Sequence, residues 1–256
     1  MLGGSSRRRA RLGLGSSRTE ASTISRVART PGRSTTWWHY RVRVTSYAAV
    51  LWDLDGTIVD TEPLWMAAEH ELAALHGGTW TDEDALLLVG NSLIASGEYI
   101  KDKLGLEMSA EQVVDHLVGR LSAALREHVE WRPGARELIQ ALDEAGVPQA
   151  LVTMSYAAIA DPIAAALPFA AVVTGDAVSR PKPFPDPYLL AAERLGVDPS
   201  ACLAIEDSVT GAASANAAGC DVLAVPHFVT VPAADRRVLL PTLAGLTPSA
   251  LDGLFG

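Results

Sequence analysis

The sequence predicts an α/β fold, a doubly wound parallel sheet with an inserted all-helical domain. Three observations predict it. From residue 132 onward short apolar runs alternate with helical periods, the pattern of parallel strands joined by crossover helices. Between residues 63 and 131 only helical periods occur. Hydrophobic residues make up 48% of the 256, against 20% charged, which is enough to bury a core.

The elements follow in order. Residues 48–52 form an unbroken apolar run, the texture of a buried strand, stopped by Asp53-Leu54-Asp55-Gly56-Thr57. Pro63 suits a first helical turn, and Leu64, Ala68, Leu72 and Leu75 keep helical spacing up to Gly77-Gly78. Further helices are predicted at 81–89, 92–104 and 109–128, the last opened by Ser109 and Gln112 at capping-box spacing. After Arg132-Pro133-Gly134, helices at 134–145, 156–166, 186–195 and 209–218 alternate with strands at 148–153, 170–174, 202–205 and 221–225. Asp186 is the expected cap of the third of these helices, with Pro187 starting it. No role is read for residues 227–256.

The formal charge of −9 conceals two opposite segments: residues 1–47 hold ten Arg and one acid, Glu20, while the other 209 carry 11 basic and 29 acidic side chains. A body so acidic repels nucleic acid and anionic membranes. No apolar run approaches the roughly 18 residues of a membrane span. The expectation is a soluble, cytoplasmic monomer with no membrane partner and no nucleic-acid partner. The head is rich in Arg, Ser, Thr and Gly without periodicity, so disorder is expected over 1–47. Three readings of it stay open: an upstream extension of the frame before a compact protein starting near Thr45, an organellar targeting segment, or a nucleic-acid arm. Two cysteines, Cys202 and Cys220, exclude a disulfide scaffold or a thiolate zinc site. The six His avoid every predicted strand end, so a His-activated nucleophile has little support.

Two strands end in acid pairs, Asp53 with Asp55 and Glu206 with Asp207. One such pair alone is ordinarily a solvated turn, and Ser208 reads equally as a plain helix cap. Parallel strands, however, bring their carboxyl ends to one edge. Four carboxylates gathered there repel one another unless a hard cation sits among them, and oxygen-only ligands suit Mg²⁺. Thr153 ends a third strand. Lys182 stands in Arg180-Pro181-Lys182-Pro183-Phe184-Pro185-Asp186-Pro187, whose alternating prolines hold the chain extended. Near an acidic site it reads as charge compensation.

Taken in order, Asp53-Leu54-Asp55-Gly56-Thr57, Thr153, Lys182 before Pro183, and Glu206-Asp207-Ser208 leading to Gly211 resemble the four motifs of the haloacid dehalogenase-type phosphohydrolases. The resemblance is nearest to the β-phosphoglucomutase-like branch with a helical, C1-type cap, and covers roughly residues 48–226. It implies a Rossmann-like core over 48–62 and 132–256, and a cap over 63–131. It also implies Mg²⁺-dependent hydrolysis of small phosphorylated metabolites, such as sugar or polyol monophosphates. Asp53 would be the nucleophile that forms an aspartyl-phosphate, and Asp55 the general acid and base. Thr153 and Lys182 would bind phosphate. Mg²⁺ would be held by Asp53, the main-chain carbonyl of Asp55 and Asp207, with Glu206 close by. Gly56 would let the chain turn away from the site.

In the cap, Glu62, Trp65, Gly90, Asn91 and Ser92 are candidate substrate contacts, Trp65 reading also as core. Residues 89–96 contain no Arg or Lys, whereas a phosphosugar mutase needs a cation there for a second phosphate. That favours a phosphatase, although Lys101 or Lys103 could supply the charge and keep the mutase reading open. A non-catalytic binding protein, or a nucleic-acid-associated one using the basic head, are the remaining alternatives.

Overall fold

The computed structural model describes residues 45–255. The expectations for residues 1–44 lie outside the described residues. A six-stranded sheet carries β1 (Ala49–Trp52), β2 (Gln149–Val152), β3 (Ala171–Val173), β4 (Cys202–Glu206), β5 (Asp221–Ala224) and β6 (Arg237–Leu239). Its order is β3-β2-β1-β4-β5-β6, and every pairing is parallel. The expected doubly wound parallel sheet is therefore present.

Alternation along β1 divides the core. Val50 and Trp52 pack on one face, with Leu138, Ile139 and Leu142 of α5 (Ala135–Glu144) and Ile159 of α6 (Ala157–Ala164). Ala49 and Leu51 pack on the other, with Tyr188 and Ala191 of α7 (Asp186–Leu195) and Ala212 and Ala215 of α8 (Val209–Ala217). Both β1 faces are buried, so the strand reads as a continuous apolar run rather than an alternating one. Trp52 Nε1 finds a buried partner in Gln149 Oε1 at 2.9 Å, as a buried indole requires.

The insertion after β1 is helical: α1 (Glu62–Leu75), α2 (Asp82–Leu86), α3 (Leu93–Leu104) and α4 (Ala110–Glu127). Ser109 and Gln112 form the expected capping box of α4, and Thr81 with Asp84 forms another on α2. Two connections join the insertion to the sheet. They meet where Asp60 N–H donates to the Glu130 carbonyl and Arg132 N–H to that of Ile58, both at 2.8 Å.

Two local expectations are corrected. Asp186 does not cap α7: Pro185 already has helical dihedrals and is the cap residue, so Asp186 is helical and accepts from Arg180 Nε at 2.8 Å. Residues 45–47, grouped by composition with the disordered head, are anchored by the opposite terminus, because Asp252 accepts from the Thr45 hydroxyl at 2.6 Å and the Ser46 N–H at 2.9 Å. The tail supplies β6 and buried Leu243 and Leu251. No helix among the described residues is long and apolar enough to cross a membrane.

Candidate active site

The site lies beyond the carboxyl ends of β1, β2 and β4, where such sheets bind ligands. Asp53 follows β1 directly and donates its N–H to the Ile205 carbonyl at 3.0 Å. That bond keeps β1 and β4 in register to their ends and brings Asp53 beside Glu206. Lys182 crosses from the proline-rich loop, and its Nζ donates to Asp53 Oδ1 at 2.6 Å, Glu206 Oε1 at 2.5 Å and the Val152 carbonyl at 3.0 Å. All three ammonium hydrogens are used. Glu206 is completed by the Tyr188 hydroxyl at 2.6 Å on Oε1 and the Ser208 hydroxyl at 3.1 Å on Oε2. Ser208 also caps α8 by accepting from Gly211 N–H at 3.1 Å.

Asp207 contrasts with this. Its Oδ2 is buried and has no hydrogen-bond partner among the described residues. Asp53, Glu206 and Asp207 each place a carboxylate oxygen within 4.8 Å of the others. An all-oxygen donor set with one orphaned buried oxygen fits a hard divalent cation. Burial, then the neighbouring Glu206, pushes Asp53 up to about 8. Burial, then Asp53, holds Asp207 well above the carboxylate range. Burial opposes the charge on Lys182, but Asp53 and Glu206 more than offset it and keep the ammonium above its ordinary value.

Two glycines shape the cluster. At φ +78°, Gly56 turns the chain under Asp207, and a Cβ there would lie 2.1 Å from Asp207 Oδ2. At Gly211 a Cβ would lie 2.0 Å from Glu206 Oε1.

Asp55 points elsewhere, and its carboxylate is absent from the cluster. Its Oδ1 accepts from the Thr61 hydroxyl at 2.7 Å and Trp65 Nε1 at 3.4 Å. Its Oδ2 accepts from the hydroxyls of Thr153 at 3.0 Å and Ser155 at 2.8 Å. Thr153 is buried and sits behind Asp55, whereas Ser155, unremarked in the sequence, lines the cavity.

Of the candidates in the insertion, Glu62, Trp65, Gly90 and Asn91 line the same cavity as Asp53, Asp55, Lys182 and Asp207. Ser92 does not line it; its hydroxyl caps α3 by accepting from Ala95 N–H. Trp65 is both wall and core, at 9% exposure. Burial, then Asp55, pushes Glu62 up to about 8. Lys103 is paired with Asp84, and neither it nor Lys101 lines the cavity. Sequence reasoning missed Tyr188 and Ser155, whose roles depend on where α7 and the loop after β2 fall; neither stands in a motif that marks it.

The family model for haloacid dehalogenase-like hydrolases matches residues 47–219. Among curated proteins, the chain is 33% identical over 186 residues to the bifunctional riboflavin kinase/FMN phosphatase of Arabidopsis thaliana, covering 71% of this chain but only 49% of that longer protein. It is 37% identical over 181 residues to hexitol phosphatase A of Escherichia coli, covering 68% of this chain and 81% of that one. Among solved structures, CbbY from Rhodobacter sphaeroides in complex with phosphate is similar at a TM-score of 0.70 and 29% identity, over 81% of this chain and 99% of that one.

Proposed function

The chain belongs to the haloacid dehalogenase-like hydrolases, and from that membership we propose that it is a Mg²⁺-dependent phosphomonoesterase of sugar or polyol monophosphates. The similarity to hexitol phosphatase A supports this substrate class. The observation that carries the reading is the orphaned Asp207 oxygen beside Asp53, itself 2.6 Å from the Lys182 ammonium. Anions so buried are expensive without a cation.

Asp53 attacks the phosphorus in line, and a P–O bond to its carboxylate forms as the bond to the leaving-group oxygen breaks. Asp55 gives a proton to that leaving oxygen. It then takes one from the water that attacks the phosphoenzyme, releasing inorganic phosphate and restoring Asp53. Lys182 offsets the charge of Asp53 so that a carboxylate can approach a phosphate dianion. Thr153 orients Asp55 and lies close enough in sequence to Ser155 for the same loop to meet the phosphoryl group. Asp53 and Asp207, with the Asp55 carbonyl and nearby Glu206, would hold Mg²⁺, which would supply neutralisation of phosphoryl charge.

Residues 63–131 act as the cap that excludes water. Among the described residues Lys182 is the only Lys or Arg lining the cavity, so no second cation there would hold the second phosphate of a bisphosphate. The test is phosphate release from a panel of sugar and polyol monophosphates with Mg²⁺. Asp53→Asn should abolish release; a variant as active as the wild type would overturn the reading.

A further inference from the structure

The cavity has a second polar feature, contributed by α1 of the insertion. One stripe of α1 lines it: Glu62, Trp65, Met66 and Glu69, spaced i, i+3, i+4 and i+7. Glu69 is the unexpected member. It is 4% exposed, forms no ion pair among the described residues, and lines a cavity that Leu88 and Leu117 also line. A carboxylate in such surroundings is costly unless it serves a purpose.

Its setting is rigid. Glu69 Oε2 accepts from Trp80 Nε1 at 3.1 Å. The Trp80 ring is held edge-on by Tyr99, with centroids 5.9 Å apart, and by the Lys103 ammonium 5.9 Å from its centroid. Lys103 is in turn fixed by Asp84, the capping-box residue of α2. Two helices of the insertion, α2 and α3, thus hold one indole, and the indole holds one carboxylate of α1. Among the described residues no donor reaches Oε1 of Glu69. Pre-organised acceptors of this kind confer specificity, because a ligand lacking the matching donor leaves a buried polar atom unpaired.

We infer that Glu69 is a specificity-determining residue, positioned by Trp80, whose Oε1 accepts a hydrogen bond from a hydroxyl of an uncharged, polyhydroxylated leaving group. This rests on the phosphomonoesterase reading and narrows it. The leaving group must offer a donor, because Glu69 Oε1 is an acceptor with no donor among the described residues. It must carry no second anion, because Lys182, the one Lys or Arg lining the cavity among the described residues, has its three hydrogens engaged at Asp53, Glu206 and Val152. Hydroxyls rather than an ammonium are favoured because burial pushes Glu69 up to about 7, so the carboxyl carries only part of the charge that would hold a cation.

The test compares two substrates in each variant: a hexitol phosphate, and an aryl phosphate with no hydroxyl to present. The ratio of their kcat/KM values cancels any loss of folded protein. In Glu69→Leu that ratio should fall about tenfold to a hundredfold, the value of one hydrogen bond to a charged group. Glu69→Gln, which can keep the Trp80 bond, should lose less, and Trp80→Phe should lower the ratio with the change mostly in KM. A ratio unmoved in Glu69→Leu overturns the inference. So does a wild-type preference for an aminoalkyl phosphate that Leu and Gln abolish equally. If the wild type releases phosphate from neither substrate, the phosphomonoesterase reading itself fails and takes the inference with it; release from the aryl phosphate with an unmoved ratio defeats the inference alone.

Discussion

Lys182 and Glu206 lie 2.5 Å apart, Nζ to Oε1, with both side chains almost wholly removed from water. Neither charge is tolerable there alone: the same ammonium also neutralises Asp53, and Tyr188 and Ser208 complete the carboxylate. Lys182→Met should therefore cost about 3–5 kcal/mol of stability, the usual result of removing one partner from a buried pair. Phosphate release should fall at least a hundredfold. Urea unfolding alongside a phosphate assay separates the two effects, since activity should stay lost where the variant is still folded.

The orphaned oxygen of Asp207 predicts opposite signs with and without metal. In metal-free protein the buried, unpartnered carboxylate is a liability, so Asp207→Asn should be more stable than wild type by about 1–3 kcal/mol. With Mg²⁺ the order should reverse. Wild type gains about 2.7 kcal/mol at a metal concentration a hundred times the dissociation constant, and the variant gains little. Thermal melts with EDTA and with Mg²⁺ read both signs. Wild type indifferent to Mg²⁺ would remove the metal from the mechanism.

Much of this was legible in the sequence because it was local. An apolar run stopped by Asp-x-Asp-Gly needs no tertiary context to end as a strand does, and the helical periods of 62–127 survive in α1–α4. What the sequence hid depends on long-range placement. Strand β6 has only three residues, held by pairing with β5. Asp55 and Asp53 are two residues apart, yet the turn at Gly56 directs one toward Thr61 and Thr153 and the other toward Lys182. Ser92 had the right neighbours in the chain but is a helix cap.

Stability should decline as pH rises through the neutral range. Glu62 and Glu69 are pushed by burial from 4.5 up to about 8 and about 7. Between those limits the folded state keeps protons that the unfolded chain has released, so stability falls with pH until the folded groups ionise, and then levels. Stability measured by urea at intervals from pH 5 to 9 in EDTA should show this slope. Glu69→Gln should flatten its lower part, because an amide has no proton to lose. A stability that rises across the same window would contradict the burial of these two carboxyls.

Gly56 tests the turn itself. Any side chain there faces both φ +78° and Asp207 Oδ2 at 2.1 Å. Gly56→Ala should cost about 1–2 kcal/mol from backbone strain alone. Displacement of Asp207 should also weaken Mg²⁺ binding, read by calorimetry.

Closure of the insertion over the site has its own contact. The Thr210 hydroxyl, at the start of α8, donates to the Gly90 carbonyl at 2.7 Å. Gly90 fits at φ +76° only because it lacks a side chain: a Cβ would meet Thr210 Oγ1 at 2.5 Å and Ser208 Cβ at 2.8 Å. Two substitutions then separate bond from fit. Thr210→Val removes the donor with little change in shape and should raise KM about fivefold, the value of a neutral hydrogen bond of about 1 kcal/mol. Gly90→Ala forces the surfaces apart and should lower kcat as well, since a site held ajar admits water and loses its cavity wall. Limited proteolysis should cut the connections at residues 58–61 and 128–132 faster in Gly90→Ala than in Thr210→Val, and faster in both than in wild type. Equal cutting in all three, with KM unmoved, would mean that this contact does not govern closure.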